Sequence, residues 1–130
     1  MQCRSINPWT WQEEYGFHQG REVVGAERTL YLSGQVSLDA DGRVTHPDDM
    51  GAQISQCIEN VAAVLAEANM ALANVVRFDM FTTDIDLFLE NAGALQVLNE
   101  AGCEYASTLV EVSRLAFPEF LVELKATAVA

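Results

Sequence analysis

A chain of 130 residues has the length of one domain and can close one hydrophobic core. Half of its residues are apolar and no low-complexity run interrupts them, which excludes an intrinsically disordered chain. Seven Lys and Arg against nineteen Asp and Glu leave a net charge of −12, so the clustered cations that grip phosphate backbones are missing, nucleic acid is excluded as a partner, and the acidity reads as a solvated surface.

Residues 1–14 read as an N-terminal arm carrying Trp9 and Trp11, followed by a weakly alternating edge strand over 21–26. That strand is expected to pair, through a hairpin at 25–28, with a stronger strand over 29–38 that ends at the turn-forming Asp39-Ala40-Asp41-Gly42. From Asp48 the period changes. Met50, Ile54, Cys57, Ile58, Val61, Val64, Leu65 and Ala68 fall on one helical face, predicting a helix over 49–68 started by Pro47 and Asp48, with Asn69 in the positive-φ position that follows a helix. A β-branched and aromatic strand over 75–83 leads to Asp84, the N-cap of a second helix reaching Ala101 before Gly102, with Leu87, Phe88, Leu95 and Leu98 inward. Strands over 108–115 and 120–129 close the chain, separated by a connection containing Pro118. The order is β-β-α-β-α-β-β, an α+β domain with two helices on one face of the sheet. In the last strand Val122, Leu124, Ala126 and Ala128 face the helices; Leu121, Glu123, Lys125 and Thr127 form a mixed face that a second subunit would cover.

Cys3, Cys57 and Cys103 are odd in number and lack CxxC spacing, so neither a disulfide framework nor a zinc site is indicated and a reducing compartment fits. Cys57 lies on the apolar helical stripe and reads as core filling, and nothing around Cys103 argues for a depressed pKa. With no apolar leader at the N-terminus and no stretch of membrane-spanning length, the expectation is a cytoplasmic protein that does not enter a membrane. His46 reads as an ordinary surface residue, whereas His18 is either that or a proton carrier.

Tyr31-Leu32-Ser33-Gly34-Gln35 resembles the Ser-Gly-Gln strand end of the reactive-intermediate deaminase (Rid, or YjgF-like) family, and residues 53–68 resemble its Gln-containing helix. Asn74-Val75-Val76-Arg77 with Phe81-Thr82-Thr83-Asp84 is similar to its Asp-Val-Val-Lys…Phe-x-x-Asp block; Asn91 matches the Asn of its second helix. Val110-Glu111-Val112-Ser113-Arg114-Leu115 and Val122-Glu123-Leu124 match its closing strands, so the likeness runs from about Tyr15 to the C-terminus. The resemblance implies a chorismate-mutase-like fold, a homotrimer with a central barrel, small-molecule pockets in clefts between subunits, and cofactor-free hydrolysis of enamines and imines to 2-oxo acids and ammonia.

At three positions the chain departs from that pattern. The Arg that holds the substrate carboxylate in active members is matched by Ser107, and no slip of one residue restores an arginine between Cys103 and Val112. The family's pocket Tyr is matched by Phe17 of Tyr15-Gly16-Phe17-His18-Gln19, and the acidic residue associated with activating water is matched by Lys125, whose ammonium cannot act as a base. All three are expected in one cleft. Two readings stay open: an altered Rid-type hydrolase, or a non-catalytic trimeric binding module for a small organic ligand or a protein. Lys125 would supply the missing cation, with Ser33, Gly34, Gln35, Asn91, Ser107, Thr108 and Leu109 as further ligand contacts; alternatively it pairs with Glu123 or with a neighbouring subunit's Glu111. Ribonuclease activity, also described for the wider family, does not suit the charge.

Overall fold

In the computed structural model, which describes residues 1–130, the chain runs β1 (Gln2–Ile6), a 3-10 turn (Trp11–Tyr15), β2 (Gly20–Val24), β3 (Thr29–Tyr31), α1 (Met50–Glu67), β4 (Val75–Thr82), α2 (Ile85–Glu90), α3 (Gln96–Glu100), β5 (Ala106–Glu111) and β6 (Val122–Val129). Helix α1 is built as its periodicity predicts, with one shift at the start: Asp49, not Asp48, is the N-cap, its carboxylate accepting from the Ala52 N–H at 3.0 Å. At the other end Asn69 takes φ +55, and the Asn69 and Met70 N–H groups donate back to the Ala66 and Leu65 carbonyls. This is a Schellman ending, sealed by the burial of both Leu65 and Met70. The Arg28 guanidinium donates to the Ala68 carbonyl at 2.9 Å, placing a cation at the negative end of the helix.

The sheet has the order β3-β6-β4-β5, with β4 antiparallel to β6 and parallel to β5. Val122, Leu124, Ala126 and Ala128 are buried beneath α1 as the alternation predicts, beside Phe78 and Met80 of β4. A cluster of nineteen buried residues, including Ile54, Cys57, Val61, Leu65, Phe88 and Leu98, forms the single core. The α+β class therefore stands as expected.

Several boundaries differ, each for a local reason. The strand over 20–24 does not pair with β3. It pairs antiparallel with β1, inside the stretch expected to be an arm, and makes a separate two-stranded sheet. Residues 27 and 28 instead donate to the Ala130 carbonyl, which carries β3 straight onto the β6 edge. The strand expected over 29–38 pairs regularly only through Tyr31. Leu32 and Gln35 still donate to Ala126 and Leu124, Ser33 and Gly34 bulge between them, and the carbonyls of Val36 and Leu38 bond the Asn60 side chain of α1 rather than a strand.

The second predicted helix is broken at Asn91. Its side-chain amide donates to the Leu87 carbonyl at 2.8 Å, so the backbone N–H falls back on Phe88 and the chain tightens into a 3-10 turn over Ala92–Leu95 before α3. Three helices thus cover the sheet where two were expected. The closing strands shift because β4 sets their length: Arg77 opposes Ala106 and Thr82 opposes Glu111. Residue 121 stays outside β6 because its N–H is taken by the Gln53 side chain at 2.9 Å.

Candidate functional site

The parallel register of β4 and β5 decides which way each expected site residue points. Ser107 lies beside Phe78 and Leu109 beside Met80, on the helix side, whereas Thr108 lies beside Asp79 on the open side. Lys125 also opposes Asp79 and therefore belongs to the open side. Within one subunit, then, Ser107 and Lys125 stand on opposite faces of the sheet.

On the helix side, Ser107 and Leu109 line a pocket of about 250 Å³ with Tyr15, Phe17, Leu89 and Leu95. Nine of its ten lining residues are apolar or aromatic. Phe17 reaches it because His18 extends the sheet beyond β5, its backbone N–H donating to the Tyr105 carbonyl at 2.9 Å. Trp11 meets Phe17 edge-on at 5.9 Å and Tyr15 at 6.5 Å, so it buttresses the aromatic rim of this pocket. Tyr105, 2% exposed, lines the pocket and packs edge-on against Phe78 at 5.3 Å. Burial pushes its phenol up to about 12 and holds it as a neutral donor.

His18 faces elsewhere. Its Nδ1 lies 2.9 Å from the Asn7 side-chain nitrogen, and Asn7 uses its oxygen to accept from the Gln19 N–H. The orientation of that amide makes Nδ1 an acceptor and assigns the proton to Nε2. Trp9 and His18 line a second hollow, of about 340 Å³, with Asn7, Gln12 and Asn99. A larger hollow, of about 460 Å³, follows the connection 113–120 beside Arg114 and Phe117 and contains none of the expected site residues.

On the open side, the Arg77 guanidinium contacts Asp79 at 2.9 Å and donates to Thr108 Oγ1 at 3.0 Å, while Lys125 Nζ lies 3.9 Å from the other Asp79 oxygen. Of the pairings considered for Lys125 within the chain, Glu123 is not the one formed; Asp79 is its counter-ion. Glu123 instead sits over the Ser33–Gly34 bulge, so closely that any Cβ at Gly34 would collide with its carboxylate. The Gln35 amide donates to the Ser33 carbonyl at 3.2 Å. Asn91, whose amide is spent on Leu87, faces Gly51 of α1 and stands outside the pocket that Ser107 and Phe17 share. Glu111, the other residue considered as a Lys125 partner, accepts from the Ile85 N–H at 3.0 Å and caps α2 together with Asp84.

Burial raises both core thiols, Cys57 and Cys103, to about 12, so neither is a thiolate nucleophile at neutral pH. Sequence reasoning passed over Tyr15, Leu89, Leu95 and Tyr105 as pocket walls. The family pattern was the signal that pointed to Phe17 and Ser107, but which face of the sheet Ser107 opened on depended on β4.

A four-stranded mixed sheet with its helices on one side, and a small pocket at the β5 edge, define an α+β ligand-pocket domain, and comparison with known proteins gives that class its family. The family model for Endoribonuclease L-PSP matches residues 17–130. A RutC family protein of Pyrococcus abyssi is 30% identical over 113 residues, covering 82% of this chain and 83% of the relative. A 2-iminobutanoate/2-iminopropanoate deaminase of Rattus norvegicus is 28% identical over 67 residues, covering 52% and 49%. Among solved structures, YyfB of Yersinia pestis, from the conserved Rid protein family, superposes with a TM-score of 0.90 at 30% identity over the whole of both chains. The chain belongs to the Rid (YjgF-like) family.

Proposed function

We propose that the protein binds a small organic molecule at a cleft between the subunits of a homotrimer, and that it hydrolyses an imine or enamine there with a specificity altered from that of deaminases that act on 2-imino acids. The observation that carries this reading is Ser107, which opens with Phe17 into one pocket at the position where active members place their carboxylate-holding arginine. The subunit puts its remaining polar groups, Glu123, Lys125 and Thr108, on the other face of the sheet, and a neighbouring copy laid against that face would bring them to a shared cleft. Family membership and the rat relative's name support hydrolysis of a C=N bond.

A second reading, a non-catalytic binding module, is favoured by the pocket lining of one subunit, in which tyrosines are the only titratable groups, and by the pairing of Lys125 and Arg77 with Asp79 on the other face. Supplying freshly generated 2-aminoacrylate and measuring ammonia separates the two, with Ser107→Arg alongside the wild-type protein. Wild-type turnover, or turnover gained by Ser107→Arg, supports the hydrolase. Silence from both supports the module.

A further inference from the structure

Apart from the pocket that Phe17 shares with Ser107, the N-terminal region holds a hollow of its own, and we infer that it is a binding site for a small organic ammonium compound. It measures about 340 Å³ and lies where the 3-10 turn Trp11–Tyr15 meets α3, with Trp9, Gln12, Glu13 and His18 in its walls. Every lining residue comes from residues 7–18 or is Asn99, so the groups named below stand together within one subunit.

Hydrogen bonds between distant segments fix the two sides of this hollow. On one side the Asn99 amide donates to the Gly16 carbonyl at 2.8 Å, and Gly16, at φ +74, lies so close that an added Cβ would stand 2.7 Å from the Asn99 oxygen. That contact closes the turn against α3. On the other side Asn7 accepts from the Gln19 N–H at 2.8 Å and its amide reaches His18 Nδ1 at 2.9 Å. Asn7 and Asn99 are thereby spent on holding the walls.

Gln12 is not. It lines the hollow although it is only 2% exposed, and its side-chain oxygen is buried without a hydrogen-bond partner. Buried amide oxygens are ordinarily satisfied, so this one calls for an N–H donor from a guest. The terminal torsion of a Gln side chain is broad, and a turn about it brings the oxygen to the wall. Glu13 adds a carboxylate to the same hollow, and Trp9 adds an indole that is 57% exposed. An ammonium group uses all three: an N–H donated to Gln12, its charge set against Glu13, and its cationic carbon laid on the indole face. A carboxylate would meet Glu13 as a like charge and Gln12 as a second acceptor. The net charge of −12 favours the cation at longer range as well.

Benzylammonium, benzyl alcohol and benzoate, nearly equal in size and differing in charge, test the inference. Binding is followed by NMR in the intact protein, through the Gln12 side-chain amide and the Trp9 indole N–H, with the Leu89 and Leu109 methyl groups of the other pocket recorded alongside. Benzylammonium is expected to move the Gln12 and Trp9 signals and to bind on the order of tenfold more tightly than benzyl alcohol, while benzoate leaves them in place. Glu13→Gln and Trp9→Ala, both at exposed side chains, should each weaken benzylammonium several-fold. Gln12→Leu should weaken it too, and Gln12→Glu, which keeps an acceptor there, should restore it; a loss that came only from disturbed packing would not be rescued in this way. Benzyl alcohol or benzoate binding as tightly as benzylammonium overturns the inference. So do Gln12 and Trp9 signals that stay silent at millimolar benzylammonium, as they would if a neighbouring copy filled the hollow, and so do shifts confined to the Leu89 and Leu109 methyls.

Discussion

Gln53 shows how much one polar residue carries in this chain. It stands among Met50, Ile54 and Cys57 on the buried face of α1 and is itself fully buried. Its amide donates to the His46 and Glu119 carbonyls at 3.1 and 3.0 Å and its oxygen accepts from Leu121, so a single side chain ties the loop before α1 to the loop before β6. Gln53→Leu would leave those groups unpaired in a dry site. The expected loss is about 3 kcal/mol of unfolding free energy in a urea titration, with no change of fold by circular dichroism. Gly34 also makes a close contact: a methyl there meets the Glu123 side chain, so Gly34→Ala must displace that acidic group from the Ser33–Gly34 bulge. Phe17, Ser107 and Lys125 were legible as departures from a family pattern; that Lys125 leans on Asp79 was not, because a strand sequence does not name its cross-strand neighbour.

At the scale of elements, α1 was legible almost whole because periodicity, cap and Schellman ending all agree along a continuous segment. That agreement makes Asn69 a sensitive position. With φ at +55, Asn69→Gly should be neutral or slightly stabilising, whereas Asn69→Val should cost about 1–2 kcal/mol, read as a shift in the urea midpoint at constant slope. The second helix was less legible, since nothing in its composition forbids a helix from Asp84 to Ala101. Asn91 breaks it by competing for the Leu87 carbonyl, a choice made by side-chain geometry. The same break puts Ala92 and Leu95 at the pocket wall, so an interruption of one helix shapes the site.

At the scale of the whole molecule, the open sheet face combines Arg77, Asp79, Glu123 and Lys125 with the exposed Tyr31 and Val110. A face of that kind is suited to a second copy, and light scattering is expected to return three times the 14.3 kDa of one chain. Lys125→Glu, which sets a second carboxylate beside Asp79, should shift that mass toward the single chain at low salt. Alkali should also weaken the fold. Cys57, Cys103 and Tyr105 are raised by burial from 9.0, 9.0 and 10.0 to about 12, so the folded state keeps protons that the unfolded chain releases. Stability is therefore full below about pH 9 and falls as pH climbs toward about 12, and Cys57→Val should flatten part of that fall in melts recorded across the range.

The sequence by itself determined the α+β class, the long helix with its ending, the inward face of the last strand and the family, because each rests on local periodicity or on motifs read in order. Only the tertiary structure decided that residues 2–6 take the partner expected for β3, that Ser107 and Lys125 look out from opposite faces, and that Tyr105 lines an apolar pocket beside Ser107. Those facts depend on pairing between distant segments. A one-residue change of register between β4 and β5 would turn Ser107 to the other side of the sheet, and the Ser107 region carries no mark of its own that fixes that register.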